Sequence, residues 1–338
     1  AMTTQTQFAQ AGNVFESPFV NTEHGTAPFS KISNKDYEPA IDQGIEKALK
    51  EIDAIVNNPE APTFENTIVA LDRTGEDLNR VLNIFFPLLS ADADDEMMEI
   101  SMKVTPKLSD YSTSITLNNG LWKRVKAVYE GRDKLNLSAE DKMLLDRTYD
   151  SFALSGANLE GADREAYRKL SAELSELTTK FGQNVLKELN TYEIWLTEKD
   201  LAGLPKGVVD EAAQLAEAKG RKGEFLFTLA QPTYTAFMKY SERPDLREKF
   251  YRLYTGRNMK GEYSNLDNMK RIAEVRLEIA RLLGGKNYAS HSLQRTMAEN
   301  PENVYKLLDQ LRDAYKPALK REMDELTAFA SKKEGKPV

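Results

Sequence analysis

Helical spacing dominates the chain. Tyr37, Ile41, Ile45, Leu49, Ile52 and Val56 recur every three or four residues, which predicts a helix with one apolar face. Asn57-Asn58-Pro59 ends it, because the residue before a proline avoids the α region. Thr63 is the expected N-cap of a second helix, with a face of Phe64, Ile68, Leu71, Leu78, Leu82, Phe85 and Leu89. Met97, Val104, Leu108, Tyr111 and Ile115 continue the pattern, and Pro106 is expected to kink or break it. Residues 121–129 form a short helix, and Ser138 with Asp141 makes an S-x-x-D capping box before another. Asp163 is the expected cap of the cleanest helix, whose narrow seam is Tyr167, Leu170, Leu174, Leu177, Phe181, Val185 and Leu189. A seam of that length fits a long helical hairpin with local coiled-coil packing.

The period changes between about 191 and 230. TYEIWLT (191–197) and EFLFTLA (224–230) are aromatic and β-branched and alternate in part, which predicts two strands. A short helix over 208–218 lies between them, ended by Gly220. Helix resumes at Pro244, a good first helical residue, and again over 266–283, closed by Gly284-Gly285. Asn300-Pro301 opens the last helix, with Val304, Leu308, Leu311, Tyr315, Leu319, Met323, Leu326 and Phe329 on one face and a kink expected at Pro317. The expected fold class is mainly α: a multi-helix lobe with long helical hairpins and a small two-stranded β insertion at about 191–230. Residues 1–15 read as a flexible tail, and 16–338 as one helical lobe, divisible into two subdomains near 190–230.

Composition narrows the function classes. The 338 residues are 41% apolar and 29% charged, enough for a large core. A net charge of −7 argues against a general nucleic-acid binder, which would carry a basic face. No uncharged apolar run is long enough to span a membrane, and no stretch reads as a signal peptide. The polar tail resembles the spacer that follows a removed export signal, so the compartment stays open between cytoplasm and periplasm. There is no cysteine, hence no disulfide, thiol nucleophile or cysteine-ligated metal.

Candidate chemistry is sparse. The chain has two histidines, His24 and His291, followed by Gly25 and Ser292, so neither starts the H-E-x-x-H helix of a zinc peptidase. Gly284-Gly285-Lys286 lacks phosphate-loop spacing and follows a helix, so it reads as a helix cap. No G-x-S-x-G elbow occurs. The acidic run ADADDEMME (91–99) reads as a helix start favoured by the dipole, not as an EF-hand. Arg257 and Asn258, at a helix C-terminus, complement the dipole and are also candidates to face a peptide carboxylate in a cleft. His291 is a candidate substrate contact on a short helix, with a structural role as its plainer reading.

A resemblance adds to these readings. PFSKISNKDYEPAID (28–42), NNPEAPTFENTIVALDRTG (57–75), SFALSGANLEGADREAYRKLSAELSELTTKFGQNVL (151–186), PTYTAFMKYSERPDLREKFYRLYTGRN (232–258) and LLGGKNYASHSLQRTMAENPENV (282–304) occur in order and without large gaps. Together they resemble the N-terminal half of the thimet oligopeptidase and peptidyl-dipeptidase (dipeptidyl carboxypeptidase) family of zinc metallopeptidases, nearer to the bacterial peptidyl-dipeptidase branch. The resemblance implies an almost wholly helical fold with two lobes across a deep, narrow channel. It implies zinc in the parent protein, held by ligands of a C-terminal half that has no match in this sequence. It therefore assigns no metal ligand and no catalytic residue here. The implied partners are short peptides and the missing catalytic half, with Arg257, Asn258 and His291 as candidate channel residues. A stand-alone helical peptide-binding scaffold and an endo-acting parent are the alternatives.

Overall fold

The computed structural model describes residues 12–338, which form two compact units divided between Val275 and Arg276. Residues 1–11 of the expected tail lie outside the described residues. Phe15, which the sequence places in that tail, is a core residue at 2% exposure, packed 5.8 Å from Tyr37. An aromatic side chain of that size is more stable in an apolar site than in water.

In the first unit, α1 (Asn34–Val56) starts from a reciprocal Ser33–Asp36 capping box. It packs against α2 (Glu76–Ala91) and α3 (Asp95–Thr116) through Tyr37, Ile41, Leu78, Val81, Phe85 and Val104. The helices approach closely at Gly44, where a Cβ would sit 2.8 Å from the Leu78 Cα. Thr63 caps the next segment as expected, its hydroxyl accepting from the Asn66 N–H. The face expected from Phe64 to Leu89 is nevertheless not one helix. A π turn (Phe64–Val69) and a single α turn (Ala70–Asp72) precede a break at Gly75. Gly75 has φ +73°, a left-handed conformation natural to glycine, and its N–H donates to Glu51 Oε2 at 2.8 Å.

A second core joins the end of α1 and the π turn to α4 (Asn119–Glu130) and α5 (Ala139–Leu154), around Ile52, Phe64, Ile68, Leu121 and Phe152. Arg124 is 8% exposed and donates to the carbonyls of Asn58 and Glu60 and to Asn66 Oδ1, tying down the 57–66 loop. Ser138 caps α5 by accepting from the Asp141 N–H. The long helix α6 (Gly161–Thr191) has Glu160 at its N-cap. Asp163 instead lies in the first turn, where its charge suits the helix dipole. α6 lies along α3: Gln183 Nε2 donates to the Met98 carbonyl and Ser101 Oγ, and Arg168 pairs with Asp110.

α3 continues through Pro106 without a break, and Pro317 likewise lies inside the last helix. Each costs the hydrogen bond of the carbonyl four residues earlier, those of Met102 and Asp313. Both residues are exposed, so water can replace the lost donor.

The β insertion lies wholly within the first unit. Strands β1 (Ile194–Leu196) and β2 (Phe225–Phe227) pair antiparallel, with Trp195 opposite Leu226. They are shorter than expected, because Thr191 ends α6 and Thr197 caps a turn with Asp200. α7 (Lys206–Ala218), α8 (Gln231–Tyr240) and α9 (Pro244–Thr255) complete a third core, centred on Phe227, Phe237 and Phe250. The Phe237 and Phe250 rings stack at 3.9 Å.

Helix α10 (Leu266–Leu282) runs from the first unit into the second. The second unit continues with α11 (Tyr288–Leu293), capped by Asn287, and α12 (Pro301–Glu334), capped by Asn300. α12 has no buried residue, so the apolar face read from its sequence is an exposed one. Among the described residues, no helix is long and apolar enough to cross a membrane.

The Gly44 contact gives a direct test. Gly44→Ala forces the α1–α2 backbones apart, and overpacking of this kind costs about 1–3 kcal/mol, more than the fraction of a kcal/mol gained in helix propensity. Urea denaturation followed by circular dichroism should show a lower midpoint for the variant; an unchanged or raised midpoint would refute the close approach.

Candidate functional site

Two of the three residues singled out from the sequence come together in one polar clamp. Where α9 ends, the chain must turn back toward α10, and residues 256–265 lie against α6. Asn258 sits in the left-handed region at φ +56°, which asparagine tolerates better than most residues. Its Nδ2 donates to the carbonyls of Asn184 and Tyr263, both at 2.9 Å, and its backbone N–H donates to Glu188 Oε2. Asn265 is 1% exposed. Its Nδ2 donates to the Phe181 carbonyl, and its Oδ1 accepts from both Asn184 and Asn268. Buried amides are stable only when paired in this way.

The other oxygen of Glu188 accepts from the Tyr192 hydroxyl at 2.7 Å. Burial, this hydrogen bond and the Glu188 charge together push the Tyr192 hydroxyl up to about 12, against a smaller opposing effect of Arg257. A neutral tyrosine is thereby held over the usual pH range.

Arg257 emerges from this clamp. Its guanidinium stacks 3.7 Å above the Tyr254 ring, and its Nε donates to the Tyr254 carbonyl at 2.7 Å. Tyr254 in turn stacks on Tyr234 at 3.8 Å. Stacking and the Nε bond fix the guanidinium plane, while neither terminal nitrogen makes a hydrogen bond among the described residues. A guanidinium held in this way can offer a fork of two N–H groups to a carboxylate.

A groove of about 680 Å³ lies nearby along α6, lined by Asp94, Glu99, Met102, Lys187, Asn190 and Tyr263. Asp94 caps α3 and accepts from Asn34, contacts that lower its carboxyl below the usual range. The acidic run at 91–99 is thus a helix start, as its sequence suggests.

His291 belongs to the second unit, on α11. It is half-buried, with Tyr288 6.5 Å away ring to ring, and burial lowers its pKa, favouring the neutral ring. His24 is exposed in a turn beside Glu23. Among the described residues, no group of three or more His, Asp or Glu side chains could hold a metal ion, so they do not fit a resident zinc.

Comparison with known proteins places this architecture. Residues 237–337 match the model of Peptidase family M3. The chain is 34% identical over 325 residues to oligopeptidase A of Haemophilus influenzae, covering 94% of this chain and 47% of the relative. It is 30% identical over 309 residues to dipeptidyl carboxypeptidase of Escherichia coli, covering 91% and 45%. A thimet-like oligopeptidase of Dictyostelium discoideum is 23% identical over 290 residues, covering 85% and 42%. The resemblance read from the sequence therefore holds over nearly the whole chain. The chain spans less than half the length of these relatives.

The clamp has a measurable pH signature. An unfolded tyrosine ionises near pH 10 and Tyr192 near 12, so the folded state holds the extra proton between these values. Its contribution to stability is complete below about pH 10 and is lost as pH rises toward 12. Burial also raises Tyr37, Tyr111 and Tyr234, so absorbance titration should show a late tyrosinate component that Tyr192→Phe reduces by one tyrosine; an unchanged late amplitude in that variant would contradict the assignment.

Proposed function

We propose that this chain, a relative of oligopeptidase A and dipeptidyl carboxypeptidase, is the substrate-channel lobe of a bacterial zinc peptidase acting on short peptides. The observation that carries this reading is the coverage: similarity runs along nine-tenths of the chain yet spans under half of each relative. The absence of an H-E-x-x-H sequence supports a division of labour. Zinc and the groups that activate water belong to the remaining half of the parent protein. The residues of this lobe bind and orient the peptide and limit entry to short, unfolded chains.

Within that role Arg257 holds a substrate carboxylate. Its stacked guanidinium and free terminal nitrogens support the assignment, and the clamp through Asn258 and Glu188 positions it. His291, neutral and half-buried, is a further channel residue in this reading. The parent releases dipeptides from the C-terminus, which requires recognition of the terminal carboxylate. The higher identity to oligopeptidase A favours a second reading, an endo-acting parent. Mass spectrometry of the products separates the two, since serial loss of C-terminal dipeptides defines the first.

Two outcomes are expected. The purified chain, supplied with zinc and an internally quenched peptide, should not hydrolyse it; turnover abolished by a chelator would refute the lobe assignment. In the full-length parent, Arg257→Ala should raise KM for peptides with a free C-terminal carboxylate by about 10-fold or more, as expected for loss of a charged hydrogen bond. Amidated peptides should be unaffected; equal losses for both would exclude a carboxylate contact.

A further inference from the structure

A cleft between α3 and α6 has two adjoining parts, and Met98 and Gln183 line both. One part is an apolar cavity of about 400 Å³, walled by Phe86, Leu89, Met98, Gly182 and Leu186. The other is the groove of about 680 Å³, whose lining holds three carboxylates, Asp94, Asp95 and Glu99, against one ammonium, Lys187. Every one of these residues belongs to the first unit. The cleft is held in shape by Gln183, whose Nε2 donates across it to the Met98 carbonyl and, at 2.6 Å, to Ser101 Oγ.

Gly182 has no reason in the fold. It lies in the interior of the 31-residue α6, where glycine is less stable than alanine. Its backbone is not left-handed, and an added Cβ would meet no atom within 4 Å. What the missing side chain leaves is room in the apolar cavity. Gln183, next in sequence, has an Oε1 with no donor among the described residues, so it can accept from a ligand N–H. An apolar cavity, a free amide oxygen and an acidic groove then follow one another along one wall. That order suits an extended peptide. Its side chains two residues apart point the same way, about 7 Å from each other, while its backbone N–H groups seek acceptors.

We propose that this cleft binds short peptides in which a large apolar residue lies two positions from a lysine or arginine. The apolar side chain enters the cavity beside Gly182, and the cation lies among Asp94, Asp95 and Glu99. The proposal rests on the reading that the ligands of this chain are short peptides; hydrolysis of peptides by the full-length parent tests that reading apart from any contact in the cleft.

Peptides blocked at both ends keep the carboxylate contact of Arg257 out of the measurement. In isothermal titration the intact chain should bind acetyl-Ala-Leu-Ala-Lys-Ala-amide, or the reversed acetyl-Ala-Lys-Ala-Leu-Ala-amide. Replacing the lysine by glutamate, or the leucine by serine, should weaken binding by about tenfold or more. Gly182→Leu fills the cavity and should weaken binding to a similar degree. Leucine is the better helix former, so the urea midpoint of this variant should not fall, which separates a blocked cavity from a damaged fold. Glu99→Lys, at an exposed position, should reverse the preference and favour the glutamate peptide. Binding of neither leucine–lysine peptide, equal binding of the lysine and glutamate peptides, or undiminished binding by Gly182→Leu would each overturn the proposal. A lowered urea midpoint for Gly182→Leu would overturn the role given to Gly182.

Discussion

The first unit depends on satisfying polar backbone groups where residues 256–265 lie against α6. A chain segment pressed onto a helix must find partners for its own amides away from water. Asn184, Asn258 and Asn265 supply them, sharing the carbonyls of Phe181, Asn184 and Tyr263, while Glu188 takes the Asn258 N–H and the Tyr192 hydroxyl. Removing one partner would leave buried donors or acceptors unpaired, which costs more than the lost bond itself. The same contacts fix where α9 ends and where α10 begins, and they hold the third core beside α6. Arg257 inherits its position from them.

The helices of the first unit were legible because most of them bury one face of a periodic sequence. Tyr37, Ile41 and Ile52 on α1, and the caps Thr63, Ser138 and Asn300, needed nothing beyond local spacing and hydrogen-bonding chemistry. The break at Gly75 was hidden because apolar residues keep a helical spacing on both sides of it. What creates the break is long-range: the Glu51 carboxylate on α1 receives the Gly75 N–H. Pro106 does not break its helix, since its penalty falls on a carbonyl that solvent can serve.

The candidate site was half legible. Arg257 and Asn258 stood out as polar residues after a helix, but Glu188 and Asn184 are some 70 positions away in the chain. No local period announces such a contact. An asparagine amid the apolar seam of α6 was the one available signal, and Asn184 is the buried residue of that helix. His291 kept its place on a short helix after the Gly284-Gly285 turn, where burial, not a charged partner, sets its protonation.

α12 also differs from the other long helices in how it stays folded. α6 and α3 are held by tertiary packing, whereas a helix with no buried side chain rests on its caps, its intrinsic propensity and pairs such as Lys320–Asp324. A single copy of the chain should therefore exchange the backbone amides of α12 through local fraying, far faster than those of α1 or α4. Heating should melt that helix gradually, ahead of the cooperative transition of the packed cores, so that one midpoint temperature would describe only part of the molecule.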